Sequence, residues 1–327
     1  MTLRFAVCSV TVGATSGIAA CILRLRSLLR VPLMRSADVI VLPESLALEL
    51  VAGFAEPASR DPAAVFAALQ RLRAAWLAVW ASIAAEYRVV LIAGSFPVRM
   101  PGGRYRNRCD VFFRDGSHAF QDKLRLTARE KVSGWAEPGD ALNVFDVDGV
   151  AMAVALGYDC QFPLPVRAQC EAGARVLIVP ARIDDAAEGA RMRIGAMARA
   201  LENRCYVVQS SATSRQHAGG AALLTPMDAG FPATGVLTST TGNDAWAIAD
   251  LDIDALESSR IHAQAANDRD WPAQYFPSVL RAQVRRVGCR AEAGSSLQWN
   301  NDAPGTTHTD NEASRMPMIE AASTSLG

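Results

Sequence analysis

Short, nearly unbroken apolar runs recur along most of this chain: LRFAVCSVTV, ADVIVLPE, RVVLIAGSF, VAMAVALGYD, RVLIVPA and YVVQSS. Runs of this length and β-branched content read as strands buried on both faces, and strands of that kind need helices on the sheet faces to cover them. The segments between them supply the helices. Ile18, Cys21, Ile22, Leu25 and Leu29 fall at helical spacing after the first strand, and Val65, Leu69, Leu72, Trp76, Trp80 and Ile83 predict the buried stripe of one long helix. A helix carrying Val166 and Cys170 is expected to end at Gly173, and another is expected to bury Ile194, Met197, Leu201 and Cys205 on one face.

The pattern changes between Tyr105 and about Val154. Turn signals at Arg114-Asp115-Gly116 and Asp148-Gly149 separate segments rich in Val and Phe, which predicts antiparallel ribbons. GAALLTP and AWAIADLDI add further strands near the end. Beyond Cys289 the sequence turns to Ser, Thr, Asn and Gly without periodicity, too little apolar surface to offset the entropy of ordering it. The expected organisation is therefore an α/β domain over residues 1–288 followed by a disordered tail over 289–327.

Composition excludes several function classes. The 327 residues carry 33 Lys plus Arg against 33 Asp plus Glu, so no global field draws the chain to nucleic acid or to an anionic membrane. No window reaches the roughly 18–20 apolar residues of a membrane span, and the N-terminal stretch alternates like a strand, so a cytoplasmic location is expected. Seven scattered cysteines without a Cys-x-x-Cys pair, and only four histidines, argue against a disulfide framework and a metal site. No cofactor is expected.

Three separated stretches resemble, in order and spacing, the motifs of the nitrilase or carbon-nitrogen hydrolase superfamily. VIVLPESL resembles its strand-Pro-Glu motif and points to Glu44 as general base. FQDKLRLTARE resembles its Lys-x-x-Leu motif with a following acid and points to Lys123 and Glu130. LGYDCQFPLPVRAQCEAGARVLIVPA resembles its Cys-Tyr-Asp-x-x-Phe-Pro-Glu elbow and the strand after it. RALENRCYVVQSS and WAIADLDIDALESSR extend the resemblance to roughly residues 3–287. It implies a four-layer αββα sandwich, a homodimer associating through helices that flank the elbow, and hydrolysis of a small amide.

The chemistry of such a site needs a nucleophile, a base to take its proton and a cation or N–H donors to hold the oxyanion. Glu44, Lys123 and Glu130 would supply the base and the charge balance, with the Tyr158 N–H as a second donor and Asp159 beside it. The resemblance departs at its centre: Tyr158, Asp159, Phe162 and Pro163 fix the register, and the residue where the family carries its cysteine is Gly157. Cys160 lies three positions later, where the chain turns into a helix, and stands as an alternative nucleophile of low rank. Leu164 replaces the family's acid after Phe-Pro, which leaves Arg167 without its usual partner. Arg199 and Glu202, three apart on one helix, read as a local ion pair.

Two functions stay open on these residues. One is an amidase-like hydrolase weakened by the missing thiol, in which water fills the gap at Gly157 and Glu44 activates it. The other is a non-catalytic homologue that keeps the pocket for a small amide or carboxylate, or keeps the fold for assembly. A buried Glu44-Lys123 pair favours a working pocket over a pure scaffold, since unpaired buried charges cost several kcal/mol.

Overall fold

A computed structural model describes residues 1–12, 18–50, 62–213, 220–240, 242, 244–262 and 266–275. The expected tail beyond 289 lies outside the described residues, as does the segment leading to it. Met1–Phe276 forms one compact unit.

The chain order is β1 (Thr2–Thr11), α1 (Ile18–Met34), β2 (Val39–Leu42), α2 (Pro62–Gln70), α3 (Arg73–Tyr87), β3 (Val90–Arg99), β4 (Tyr105–Phe112), β5 (His118–Asp122) and α4 (Ala128–Ser133). Then follow β6 (Val144–Val147), β7 (Val150–Val154), α5 (Pro163–Glu171), β8 (Val176–Ile183), α6 (Ala186–Asn203), β9 (Tyr206–Thr213), β10 (Ala222–Leu224), β11 (Val236–Ser239), β12 (Ala245–Asp252), α7 (Ile253–His262) and α8 (Asn267–Asp270). The strands join in the order β5-β4-β3-β2-β1-β9-β8-β7-β6, with β12 antiparallel to β1 and the short β10-β11 pair on β9. The sheet is mixed: parallel through its centre and antiparallel at both ends, where the ribbons were expected. Asp148 and Gly149 both adopt positive φ, 54° and 83°, as a two-residue hairpin turn requires.

The period-2 alternation of the strands sorts their side chains into three cores. Leu3, Phe5 and Val7 of β1, Val39 and Val41 of β2, Met152 and Val154 of β7, and Val176 and Ile178 of β8 all meet in one central layer. The alternate residues face outward: Ala6, Cys8, Ile40 and Leu42 pack under α1 and α3, whereas Ala153, Leu177, Val179 and Ala181 pack under α5 and α6. Helices, half-sheet, half-sheet and helices thus form the four layers. The two halves meet where Ser9–Thr11 of β1 pair with Ser211–Thr213 of β9. Each buried Phe, Leu or Val side chain contributes about 1.5–3 kcal/mol of burial free energy, so the central layer holds the halves together.

Two expectations need correction. The long stripe from Val65 to Ile83 is not one helix but two, α2 and α3, with Arg71 and Leu72 between them. The Gln70 amide explains the break: it donates to the Pro97 carbonyl (2.6 Å) and accepts from Arg99 N–H (2.9 Å), so α2 is pinned to β3. This lets Phe66 pack on Tyr105 and Trp135 while Trp76 and Trp80 pack on the sheet. On α6 the expected face holds only in part: Met197 and Cys205 do pack into the core. Ile194 is 68% and Leu201 40% exposed, and the buried face is instead Met192, Ala196, Arg199 and Ala200. Small residues bring that helix close to the sheet, and its large aliphatics point outward.

Among the described residues no helix is long and apolar enough to cross a membrane.

Candidate active site

The site is built where β2, β5, β8 and the turn after β7 converge. Glu44 follows β2 through Pro43, and what lets it sit there is a glycine on the neighbouring strand. A β-carbon on Gly94, whose φ is +70°, would stand 2.2 Å from the Pro43 carbonyl oxygen, so only glycine admits this approach. The Ser95 hydroxyl then accepts from Ser45 N–H at 2.8 Å and fixes the turn.

Lys123 leaves β5 with its N–H on the Asn107 carbonyl (2.9 Å) and its own carbonyl taking the Gly139 N–H (2.8 Å). Its ammonium donates to Glu44 Oε1 at 2.9 Å and to Glu130 Oε1 at 3.0 Å. Glu130 occupies the N3 position of α4 in a reciprocal capping box: its Oε2 accepts from the Thr127 N–H and hydroxyl, and its N–H donates to the Thr127 hydroxyl. The helix start and the ion pair therefore fix one another. Glu44 and Lys123 are 5% and 3% exposed. Burial pulls the Lys123 ammonium downward, but Glu44 first and Glu130 second reverse this, and its pKa ends raised. Lys123 remains the site's cation.

Gly157 opens a short 3-10 turn, Gly157–Gln161, that links β7 to α5. Its φ is +46°, in the left-handed region that favours glycine. A β-carbon there would meet Glu44 Oε2 at 2.3 Å, so the carboxylate itself occupies the space above Gly157. This differs from the expected water-filled gap. Glu44 Oε2 takes the Arg182 N–H at 3.1 Å, and Oε1 takes the Asn107 amide at 2.8 Å in addition to Lys123.

Asp159 in the same turn accepts from Leu124 N–H (3.0 Å) and Arg125 N–H (2.6 Å), tying the turn to the backbone that follows Lys123. Burial raises its pKa to about 7, against the lowering effect of those two bonds and of Lys123. Tyr158 lines the cleft with its ring edge-on to Phe162, 4.9 Å between centroids. Cys160 points away, 0% exposed in the core under α6, and burial raises its thiol to about 12, which opposes thiolate formation. Arg167 has partners after all: Glu171 (2.8 Å) and the Asp268 carbonyl (2.6 Å). Arg199 and Glu202 pair at 2.9 Å as the spacing predicts.

The structure thus brings Glu44, Lys123, Glu130, Gly157, Tyr158 and Asp159 together and leaves Cys160 in the core. Asn107, Arg182 and Gly94 escaped the sequence reading. An Asn inside a strand carries no local signal of its partner, and Arg182 acts through its backbone. The cleft over these groups holds about 670 Å³, with apolar walls from Leu48, Phe66, Trp135 and Met192. Arg129, Arg182 and Arg191 line it together with Asp184, Asp185 and Glu188, so neither sign prevails among these lining charges.

Residues 6–261 match the family model described as carbon-nitrogen hydrolase. The "Probable hydrolase YhcX" of Bacillus subtilis (strain 168) is 28% identical over 234 residues, covering 68% of this chain and 45% of that protein. The "Omega-amidase NIT2-B" of Xenopus laevis is 29% identical over 137 residues, 39% of this chain and 49% of that one. The chain spans about half the length of the curated relatives it matches. Among solved structures, the carbon-nitrogen hydrolase from Helicobacter pylori G27 superposes with a TM-score of 0.69 at 18% identity, over 86% of this chain and 99% of that one, a likeness of fold.

Proposed function

The chain belongs to the carbon-nitrogen hydrolase family, and from that premise we propose that its cleft binds a small amide, or the corresponding carboxylate, with Gly157 at the family's nucleophile position. Turnover then runs without an acyl-enzyme and is slow. The observation that carries this reading is the buried Glu44-Lys123 pair, with part-buried Glu130 on the same ammonium, beside Gly157: a base and a cation in hydrogen-bond contact, facing a cleft of small-molecule size. The ω-amidase relatives support a small amide as the ligand class.

In this mechanism the amide carbonyl lies between Lys123 and the turn at Gly157. A water displaces the Glu44 carboxylate slightly, gives it a proton and bonds to the carbonyl carbon. Lys123 and the Tyr158 N–H hold the oxyanion. Collapse breaks the carbon-nitrogen bond as the proton on Glu44 passes to the leaving nitrogen, releasing an amine or ammonia and the acid. Sites that lose their nucleophile retain about 10³–10⁴-fold acceleration over water, and that is the rate expected here.

One observation favours a second, purely binding reading. Both Glu44 oxygens already have donors, Asn107 and Lys123 on one and Arg182 N–H on the other, and Oε2 fills the space a nucleophile would use. Ammonia release from a panel of small amides, measured beside calorimetric titration of the same amides and their acids, separates the two. Slow release abolished in Glu44→Gln supports the hydrolase; saturable binding without release supports the binding homologue; the absence of both release and binding removes both readings.

A homodimer through the helices flanking the elbow goes with this proposal. Leu164 of α5 and Ile194 and Leu201 of α6 expose 60%, 68% and 40% of their surface, an apolar set in want of cover. A cytoplasmic location also goes with this proposal.

A further inference from the structure

One wall of the cleft is aromatic, and it rises from the same segments that supply the charged groups. Trp135 follows Glu130 by five residues, and Leu48 follows Glu44 by four. Phe66 of α2 meets Trp135 edge-on, 4.5 Å between ring centroids and 76° between planes, and meets Tyr105 at 5.4 Å. Both Phe66 and Trp135 are held from outside the cleft. The Gln70 bonds to Pro97 and Arg99 fix α2 on β3, while the Trp135 carbonyl takes the Tyr105 N–H (2.8 Å) and the Glu137 N–H returns to the Tyr105 carbonyl (3.0 Å). Phe66 is 9% exposed, but Trp135, Val65 and Leu48 are only half-buried, so this wall keeps apolar surface that the protein itself does not cover.

The charges lining the cleft are largely engaged with one another. Lys123 lies between Glu44 and Glu130, at 2.9 and 3.0 Å, and Arg182 and Arg129 both pair with Asp184, at 2.9 and 3.6 Å. Of the three arginines that line the cleft, Arg191 alone makes no ion pair with a described residue, and Glu188 stands one turn before it on α6. A ligand carboxylate placed there would gain an arginine and meet an acid beside it. An apolar group placed against Phe66 and Trp135 meets no opposing charge and leaves water behind.

We propose that the cleft selects amides whose acyl chain ends in an aromatic or branched apolar group, with Phe66 and Trp135 as the specificity-determining pair. This rests on the reading of the cleft as an amide site and goes beyond it, because that reading leaves the remainder of the ligand open. The amide carbonyl lies by Lys123 and the turn at Gly157, and the acyl chain leads from there to the aromatic wall, where its end packs against Trp135. Leu48, Val65 and Met192 cover the rest of the group. The cleft volume of about 670 Å³ holds such a ligand whole, whereas a short unbranched amide reaches the charged groups and leaves the wall in water.

The test uses the full chain, titrated calorimetrically with propanamide, phenylacetamide, 3-phenylpropanamide and the half-amide of glutaric acid. The better of the two aryl amides should bind at least about tenfold tighter than propanamide, as a pocket that accepts added apolar atoms requires. Trp135→Ala should remove most of that ratio, and Trp135→Phe should keep most of it. If Trp135→Ala does not fold, Val65→Asn sets a polar group in the same wall and should lower the ratio as well; the wild-type ratio decides alone if neither variant folds. Equal affinity for propanamide and the aryl amides overturns this proposal and leaves the amide site standing. So does tightest binding of the half-amide, which would make Arg191 the deciding group. If none of the four amides binds, the reading of the cleft as an amide site fails and the proposal falls with it.

Discussion

The Glu44 carboxylate stands over Gly157 so closely that Oε2 lies 2.3 Å from where a β-carbon would be. Gly157→Cys therefore requires the carboxylate to swing aside, and places a non-glycine residue at φ +46°. The expected cost in urea unfolding is about 1–2 kcal/mol, shared by Gly157→Ala. What separates the two variants is chemistry: the new thiol lies beside Lys123, so iodoacetamide should label position 157, and amide hydrolysis should rise at least about tenfold over the wild type. Cys160→Ala should leave both readouts unchanged. Loss of a native hydrolytic activity in that variant would instead make Cys160 the nucleophile.

Lys123 holds two carboxylates, of which Glu44 is buried and Glu130 part-buried. Lys123→Met leaves Glu44 and Glu130 facing one another without a cation, and should cost about 3–5 kcal/mol in denaturant unfolding. Adding Glu44→Gln to that variant should recover part of the loss. If Lys123→Met alone costs nothing measurable, the two carboxylates are being screened by solvent and the burial of the Glu44-Lys123 pair is wrong.

Asp159 carries a pH signature. Its carboxyl titrates near 7 in the folded protein and near the ordinary 3.9 when unfolded, so between those values the native state holds a proton that the unfolded chain has released. Its contribution is fully present below about pH 4 and is lost as pH rises through 7, a decline on the order of 2–4 kcal/mol. Asp159→Asn should flatten this part of the stability profile. The same variant turns an amide toward the Leu124 or Arg125 N–H and should cost about 1–3 kcal/mol at neutral pH.

Ile194→Glu places a charge in the exposed apolar set of α5 and α6. If those helices form the dimer contact, light scattering at micromolar concentration should show a dimer for the wild type and a monomer for the variant. A wild-type monomer would set the dimer aside.

The strands and the helices that cover them were legible because an unbroken apolar run is a local signal: Val39, Ile40, Val41 and Leu42 read as a strand buried on both faces, and the structure sends them to alternate cores. Glu44, Lys123 and Gly157 were legible only through motif spacing. What could not be read were contacts between elements far apart in sequence. Gln70 looks like one more polar position on a helix until β3 is beside it. Ile194 and Leu201 looked like core because size was taken for burial, whereas the close packing of α6 is carried by Ala196 and Ala200. Glu44 filling the space at Gly157 is a side-chain conformation, and no pattern of residue types encodes it.

The pairing of β1 with β12 joins Thr2 to Asp252 and Ser9 to Ala245. During translation at about 5–20 residues per second, the first strand is finished long before its partner exists, so for tens of seconds Leu3, Phe5 and Val7 have no completed layer to enter. Contacts of such long range also slow the search for the native state. Folding on the ribosome should therefore finish late, and nascent chains stalled before residue 245 should bind chaperones that chains released after the last strand do not.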